Sequence, residues 1–168
     1  MRYHNITKDD MNNGDGLRVV LWLSACNHRC DGCHNPQTWN PCSGIVFDEN
    51  AKQEIFQQLD KDYISGITFS GGDPLHDNNV EKVKALIKEI RKKYITKTVW
   101  IYTGYTYKDL RDLLPDKYEV VKLCDVLVDG EFIKELADVN YHWAGSTNQR
   151  VIDVKESLKQ NKVVIWNS

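Results

Sequence analysis

The run Leu17-Arg18-Val19-Val20-Leu21-Trp22-Leu23 decides the fold. It is apolar at every position but Arg18, rich in β-branched residues, and it does not alternate. A short continuous run of this kind reads as a strand buried on both faces, the type found in parallel sheets. Residues 66–70 (GITFS), 98–103 (TVWIYT) and 125–129 (DVLVD) share that character and are expected as the second, third and fourth strands. Residues 163–166 (VVIW) are expected as the last. Helical patterns lie between them. Ala51, Ile55 and Leu59 recur at i, i+4, i+8, with Asp48 placed to cap the helix. Val80, Val83, Leu86, Ile87 and Ile90 form one apolar stripe across 79–94. A shorter helix over 107–114 stops before Pro115. Strands alternating with helices predict an α/β fold around a mainly parallel sheet.

Each unusual loop begins where one of these strands ends. Cys26, Cys30 and Cys33 follow the first, Ser70-Gly71-Gly72-Asp73-Pro74-Leu75 the second, Thr103-Gly104 the third and Asp129-Gly130-Glu131-Phe132 the fourth. Ligands of parallel α/β sheets bind at the carboxyl ends of strands. The four loops are therefore expected on one face.

Composition sets the bounds. The chain has 168 residues, 41% of them hydrophobic, enough for one domain with a real core. A net charge of −2 gives no basic excess for non-specific nucleic-acid binding. No apolar run approaches the roughly 18 residues of a membrane helix, and the polar N-terminus carries no signal-peptide core. Five cysteines, three of them clustered, suit metal ligation in a reducing, cytoplasmic setting better than a disulfide framework. No phosphate loop of the GxxxxGK type and no nucleophile–base pair stands out.

Cys26-x3-Cys30-x2-Cys33 supplies three thiolates from one loop. A structural zinc usually takes four protein ligands, often as two pairs. Cys42, His28 or His34 could supply a fourth. A four-iron cluster with three protein ligands leaves one iron open to substrate. Spacing alone leaves cluster, zinc and three incidental cysteines as alternatives.

Placed after a first strand, Cys26-x3-Cys30-x2-Cys33 resembles the signature of the radical S-adenosylmethionine superfamily. The resemblance implies that the three cysteines hold a 4Fe–4S cluster, whose open iron takes the amino and carboxylate groups of S-adenosylmethionine. It implies reductive cleavage to a 5′-deoxyadenosyl radical. The superfamily often has an aromatic residue just before the third cysteine. Gly32 stands there instead, which assigns the adenine contact to the stretch Gly32, Cys33 and His34. Gly71-Gly72-Asp73-Pro74, alone a strand-to-helix turn, is similar to the GGEP loop that receives the cofactor's ammonium group. Thr103 and Gly104, alone a helix entry, fall beside its methionyl or ribose part. The implied architecture is an incomplete parallel (β/α) barrel in a single domain over 1–168, since a full eight-unit barrel takes about 250 residues. Its open side suits a macromolecular substrate that itself excludes water.

Residues 145–154 (GSTNQRVIDV), alone a polar turn leading into a strand, resemble the GSxNQRxIDV segment of the anaerobic ribonucleoside-triphosphate reductase activating proteins. NGDGLRVVLWLSAC and CDGCHNPQTW are similar to that family too. The resemblance implies an activase that places a glycyl radical on the large anaerobic reductase subunit, with a flavodoxin- or ferredoxin-like electron donor. Other readings are an activase of a different glycyl-radical enzyme, a carboxy-deazaguanine synthase, or a non-enzymatic zinc or electron-transfer protein.

Overall fold

Residues 1–167 are described by a computed structural model. In chain order the elements are β1 (Arg2–Asp10), β2 (Leu17–Leu23), β3 (Ile45–Val46), α1 (Glu49–Leu59), β4 (Ile64–Gly71), α2 (Val80–Lys93), β5 (Thr98–Tyr102), α3 (Tyr107–Leu113), α4 (Pro115–Val121), β6 (Val126–Asp129), β7 (Arg150–Asp153) and α5 (Val154–Gln160). The strands form one sheet in the order β3-β1-β2-β4-β5-β6-β7. The four expected apolar runs are its centre and pair in parallel. β1, β3 and β7 add antiparallel edges, so the sheet is mixed rather than mainly parallel, and it does not close. Residues 163–166 do not form the expected strand; they contribute a single bridge, Ile165 to Ile152.

The two faces of the sheet are built differently. Val19, Leu21 and Leu23 of β2, Ile67 and Phe69 of β4, and Val99 and Ile101 of β5 point to one side. There they meet the buried stripes of all five helices, from Ala51, Ile55 and Leu59 on α1 to Val154 on α5. The stripe on α2 buries Val80, Val83, Leu86, Ile87 and Ile90, each contributing about 1.5–3 kcal/mol. Truncating the fully buried Ile87 to Ala would cost about 2–5 kcal/mol. Caps agree with the pattern: the Asp48 carboxylate accepts from the Ala51 N–H, and the Thr106 hydroxyl from the Asp109 N–H. Pro115 ends nothing by itself; it occupies the first turn of α4, where a missing N–H is harmless.

The opposite face has no helix. Arg18 sits there, fully buried, with its guanidinium donating to Thr68 Oγ1, Thr98 Oγ1 and the carbonyls of Asp15, Ile67 and Thr98. It also lies 5.2 Å from the centre of the Trp100 ring. Burial lowers its pKa to about 10, which leaves it charged at neutral pH. Trp143 and Trp166 close over Trp100 edge-on, and both indole N–H groups donate to the Asp15 carboxylate, at 2.8 and 2.6 Å. Tyr102 ties the same cover down by donating to the Trp143 carbonyl. The amino end of the sheet is thus sealed on this face. Among the described residues no helix is long and apolar enough to cross a membrane.

Candidate functional site

Towards the carboxyl ends of the strands the same face opens into a cleft of about 730 Å³. Trp22 at the end of β2, Ser70 and Gly71 at the end of β4, and Tyr102 at the end of β5 form its floor. Cys33, His34 and Asn35 form one wall, Phe132 and residues 137–145 another. Three of the four loops expected on one face line it, through Cys33, Ser70–Gly71 and Phe132; Thr103 and Gly104 do not.

The cysteine loop leaves β2 through Ala25 and turns at Arg29 and Gly32, all three with positive φ (77°, 51° and 70°). It is anchored by the Ala25 and Cys26 N–H groups, which donate to the carbonyls of Thr38 and Trp39. Cys26, Cys30 and Cys33 are half-buried, Cys42 is exposed, and Cys124 lies in the core as a small apolar residue. Burial pushes the Cys26 thiol up to about 11 and also raises Cys30. Backbone amides oppose that shift: those of His28 and Arg29 face Cys26, and that of Phe132 faces Cys30. The Asn35 N–H donates to Cys33 Sγ at 3.3 Å. Cys33 thus has the kind of amide donor to sulfur that tunes thiolates bound to an iron–sulfur cluster. Among the described residues no three His, Cys, Asp or Glu side chains converge as a single-ion site. A structural zinc takes four protein ligands, whereas a cluster takes each thiolate on a separate iron. The donor set fits a cluster.

The glycines of the second loop have a packing reason. Gly71 has φ of +93°, and a Cβ there would lie 2.9 Å from the Leu23 backbone. A Cβ on Gly72 would lie 2.6 Å from the Ala25 carbonyl. The loop is pressed against the end of β2, with Gly72 and Asp73 N–H donating to Leu23 and Ala25 carbonyls at 2.7 Å. Gly71 still lines the cleft, whereas Gly72 does not.

Asp73 faces inward. Its buried carboxylate accepts from the Thr103 hydroxyl, the Leu75 N–H and the Gly104 N–H, and bonds His28 Nε2 at 2.8 Å. His28 Nδ1 bonds Glu131 Oε1, also at 2.8 Å. The hydrogen bond to the Asp73 carboxylate is the largest influence holding the His28 pKa above its ordinary value, and burial opposes it. Asp73, Thr103 and Gly104 are thus brought together as expected, around a histidine that sequence reasoning weighed only as a spare ligand. Gly32 and His34 stand at the rim, with the His34 ring 5.3 Å from Phe132. Glu131 was missed; its place in the loop after the fourth strand was the available signal. Asp129 lies off the cleft, where it holds Arg150 and accepts from the Tyr107 N–H at the start of α3.

The 4Fe-4S single cluster domain family matches residues 12–152. The chain is 39% identical over 151 residues to the anaerobic ribonucleoside-triphosphate reductase-activating protein of Enterobacteria phage T4, covering 90% of this chain and 93% of that protein. It is 41% identical over 153 residues to the protein of the same name from Salmonella typhi, and 40% identical to that from Escherichia coli K12. Each of these two alignments covers 90% of this chain and 97% of the relative.

Proposed function

Because the chain belongs to the family of anaerobic ribonucleoside-triphosphate reductase-activating proteins and carries its 4Fe-4S single cluster domain, we propose that it activates an anaerobic reductase by a radical S-adenosylmethionine mechanism. Cys26, Cys30 and Cys33 would hold the cluster, leaving one iron for S-adenosylmethionine. The observation that carries this reading is the loop of three half-buried thiols, whose Cys33 lines the cleft and accepts from the Asn35 N–H. When bound, the cluster would supply the electron for reductive cleavage of the S-adenosylmethionine sulfonium, the chemistry that would place a glycyl radical on the large reductase subunit.

The residues of the chain bind, orient and exclude water. Gly71, which lines the cleft, would present backbone to the amino end of S-adenosylmethionine, while Gly72 holds the loop against the end of β2. The Asp73 carboxylate is already satisfied by internal donors, so its part is to fix Thr103, Gly104 and His28 beside the ligand. Gly32, Cys33 and His34, with the Phe132 ring tilted against His34, would offer the adenine a surface. Helices on one face only, and an open sheet, suit a half-barrel whose bare side the reductase covers. A flavodoxin- or ferredoxin-like donor would supply the electron in the cytoplasm, and the domain spans the whole chain.

Anaerobic iron and sulfide quantification, coupled to 5′-deoxyadenosine detection with and without the large reductase subunit, tests the proposal. Iron-loaded, reduced protein is expected to release 5′-deoxyadenosine and to give the reductase a glycyl radical signal. No 5′-deoxyadenosine from such protein in the presence of the reductase refutes it.

A further inference from the structure

The polar segment before β7 touches no cysteine, yet it is matched almost residue for residue to the loop after β6. Arg150 holds the Asp129 carboxylate. Gln149 Nε2 donates to the Gly130 carbonyl at 2.9 Å. Asn148 Nδ2 donates to the Glu131 carbonyl at 2.8 Å. Ser146 Oγ, fully buried, accepts from the Ile133 N–H at 3.2 Å. The Gln149 amide works at both ends, since its Oε1 accepts from the N–H groups of Gly145 and Ser146 at 2.9 and 3.2 Å. One side chain therefore closes the turn of its own segment and grips the neighbouring loop.

The gripped loop is the one that meets the cysteines. Glu131 bonds His28, which lies between Cys26 and Cys30. Phe132 packs on His34, beside Cys33. Phe132 and Lys134 cover Gly32 so closely that a Cβ there would lie 3.1 Å from Lys134 Cδ. Loop 130–134 has no regular pairing of its own before the short turn at Lys134–Leu136. Its shape comes from the segment behind it.

We infer that Ser146, Asn148, Gln149 and Arg150 form a template that sets loop 129–133 against the cysteine loop, and so act as positioning residues for the cluster without contacting it. This rests on the proposed three-cysteine cluster. Groups bonded directly to metal ligands typically change metal affinity about 10- to 100-fold when lost, and the template sets the loop that packs against those ligands.

Two substitutions separate the halves of the Gln149 bridge. Gln149→Ala removes both. Gln149→Glu keeps the acceptor for Gly145 and Ser146 but cannot donate to the Gly130 carbonyl. Wild-type protein and both variants are reconstituted with iron and sulfide anaerobically. Circular dichroism checks folding, and iron loss to a competing chelator is followed without S-adenosylmethionine or reductase. Both variants are expected to lose iron about 10- to 100-fold more readily than wild type. Asn148→Ala, which deletes only the hold on Glu131, is expected to move in the same direction and decides the matter if the Gln149 variants do not fold. Wild-type retention in Gln149→Glu, or in Asn148→Ala when only that variant folds, overturns the template. Wild-type protein that holds no iron overturns the cluster itself.

Discussion

Replacing Gly104 by Ala would place a methyl carbon 2.5 Å from Cγ and Cδ2 of the His28 ring. Gly104 does not occupy the left-handed region, so the backbone adds no strain; the collision is with the ring alone. That ring cannot yield without breaking its 2.8 Å bonds to Asp73 and Glu131. The bond to the buried Asp73 contributes about 1.5–3 kcal/mol, as hydrogen bonds to charged groups do. Glu131, with a side chain 55% exposed, adds at most about 1 kcal/mol. A stiffer unfolded chain returns about 0.4–1 kcal/mol. The net cost is about 2 kcal/mol, or roughly 4–8 °C in Tm for a chain of this size. Thermal unfolding by circular dichroism would be measured for Gly104→Ala, His28→Ala and the pair together. If the ring is what the methyl strikes, adding Gly104→Ala to His28→Ala should cost less than about 0.5 kcal/mol. An equal penalty in both backgrounds would refute the mechanism.

Alanine at any one of Cys26, Cys30 or Cys33 should abolish 5′-deoxyadenosine formation, whereas Cys42→Ala, at an exposed position, should leave most of it; loss of the cluster in Cys42→Ala would show the ligand set to be wrong. Asp125 gives a pH-dependent test. Burial disfavours its charge, but Lys155, the Val99 N–H and Arg91 prevail and hold its pKa below the ordinary value. Its stabilisation is therefore complete above the unfolded pKa of about 3.9 and is lost as pH falls through the lower folded value. Asp125→Asn should cost about 3 kcal/mol in urea unfolding at pH 7, and the gap from wild type should narrow below about pH 4. A gap of the same size at pH 3 would contradict the ion-pair account.

The four central strands were legible because each is a short, continuous apolar run, and their order placed the four loops correctly. β1 was not, because irregular register between Tyr3 and Asn5 and between Thr7 and Asp10 breaks its alternation. α4 and α5 were missed because seven residues hold barely two turns of periodicity and, unlike the equally short α3, neither has a proline just past its end to mark it. The 163–166 run looks like a strand but faces only the end of β7, where it makes one bridge. In the site, cysteine spacing and the glycines were visible. The role of His28 was not, because both partners come from other loops, 45 and 103 positions away. Asp73 reads in sequence as a ligand-facing carboxylate; only the structure shows the donors that already occupy it.

The separation of 103 positions between His28 and Glu131 also governs how the protein is made. The cysteines leave the ribosome long before the residues that will brace them. At about 5–20 residues per second, the interval is on the order of ten seconds. Over that interval the nascent chain carries three unshielded thiols and half of a sheet, whose remaining strands and Trp143 clasp are still to be translated. Iron delivered before termination would find a floppy hairpin of thiols. On the proposed ligand set, metal loading would therefore follow synthesis, gated by closure of contacts of high sequence separation, and oxygen met before that closure would damage ligands rather than cofactor.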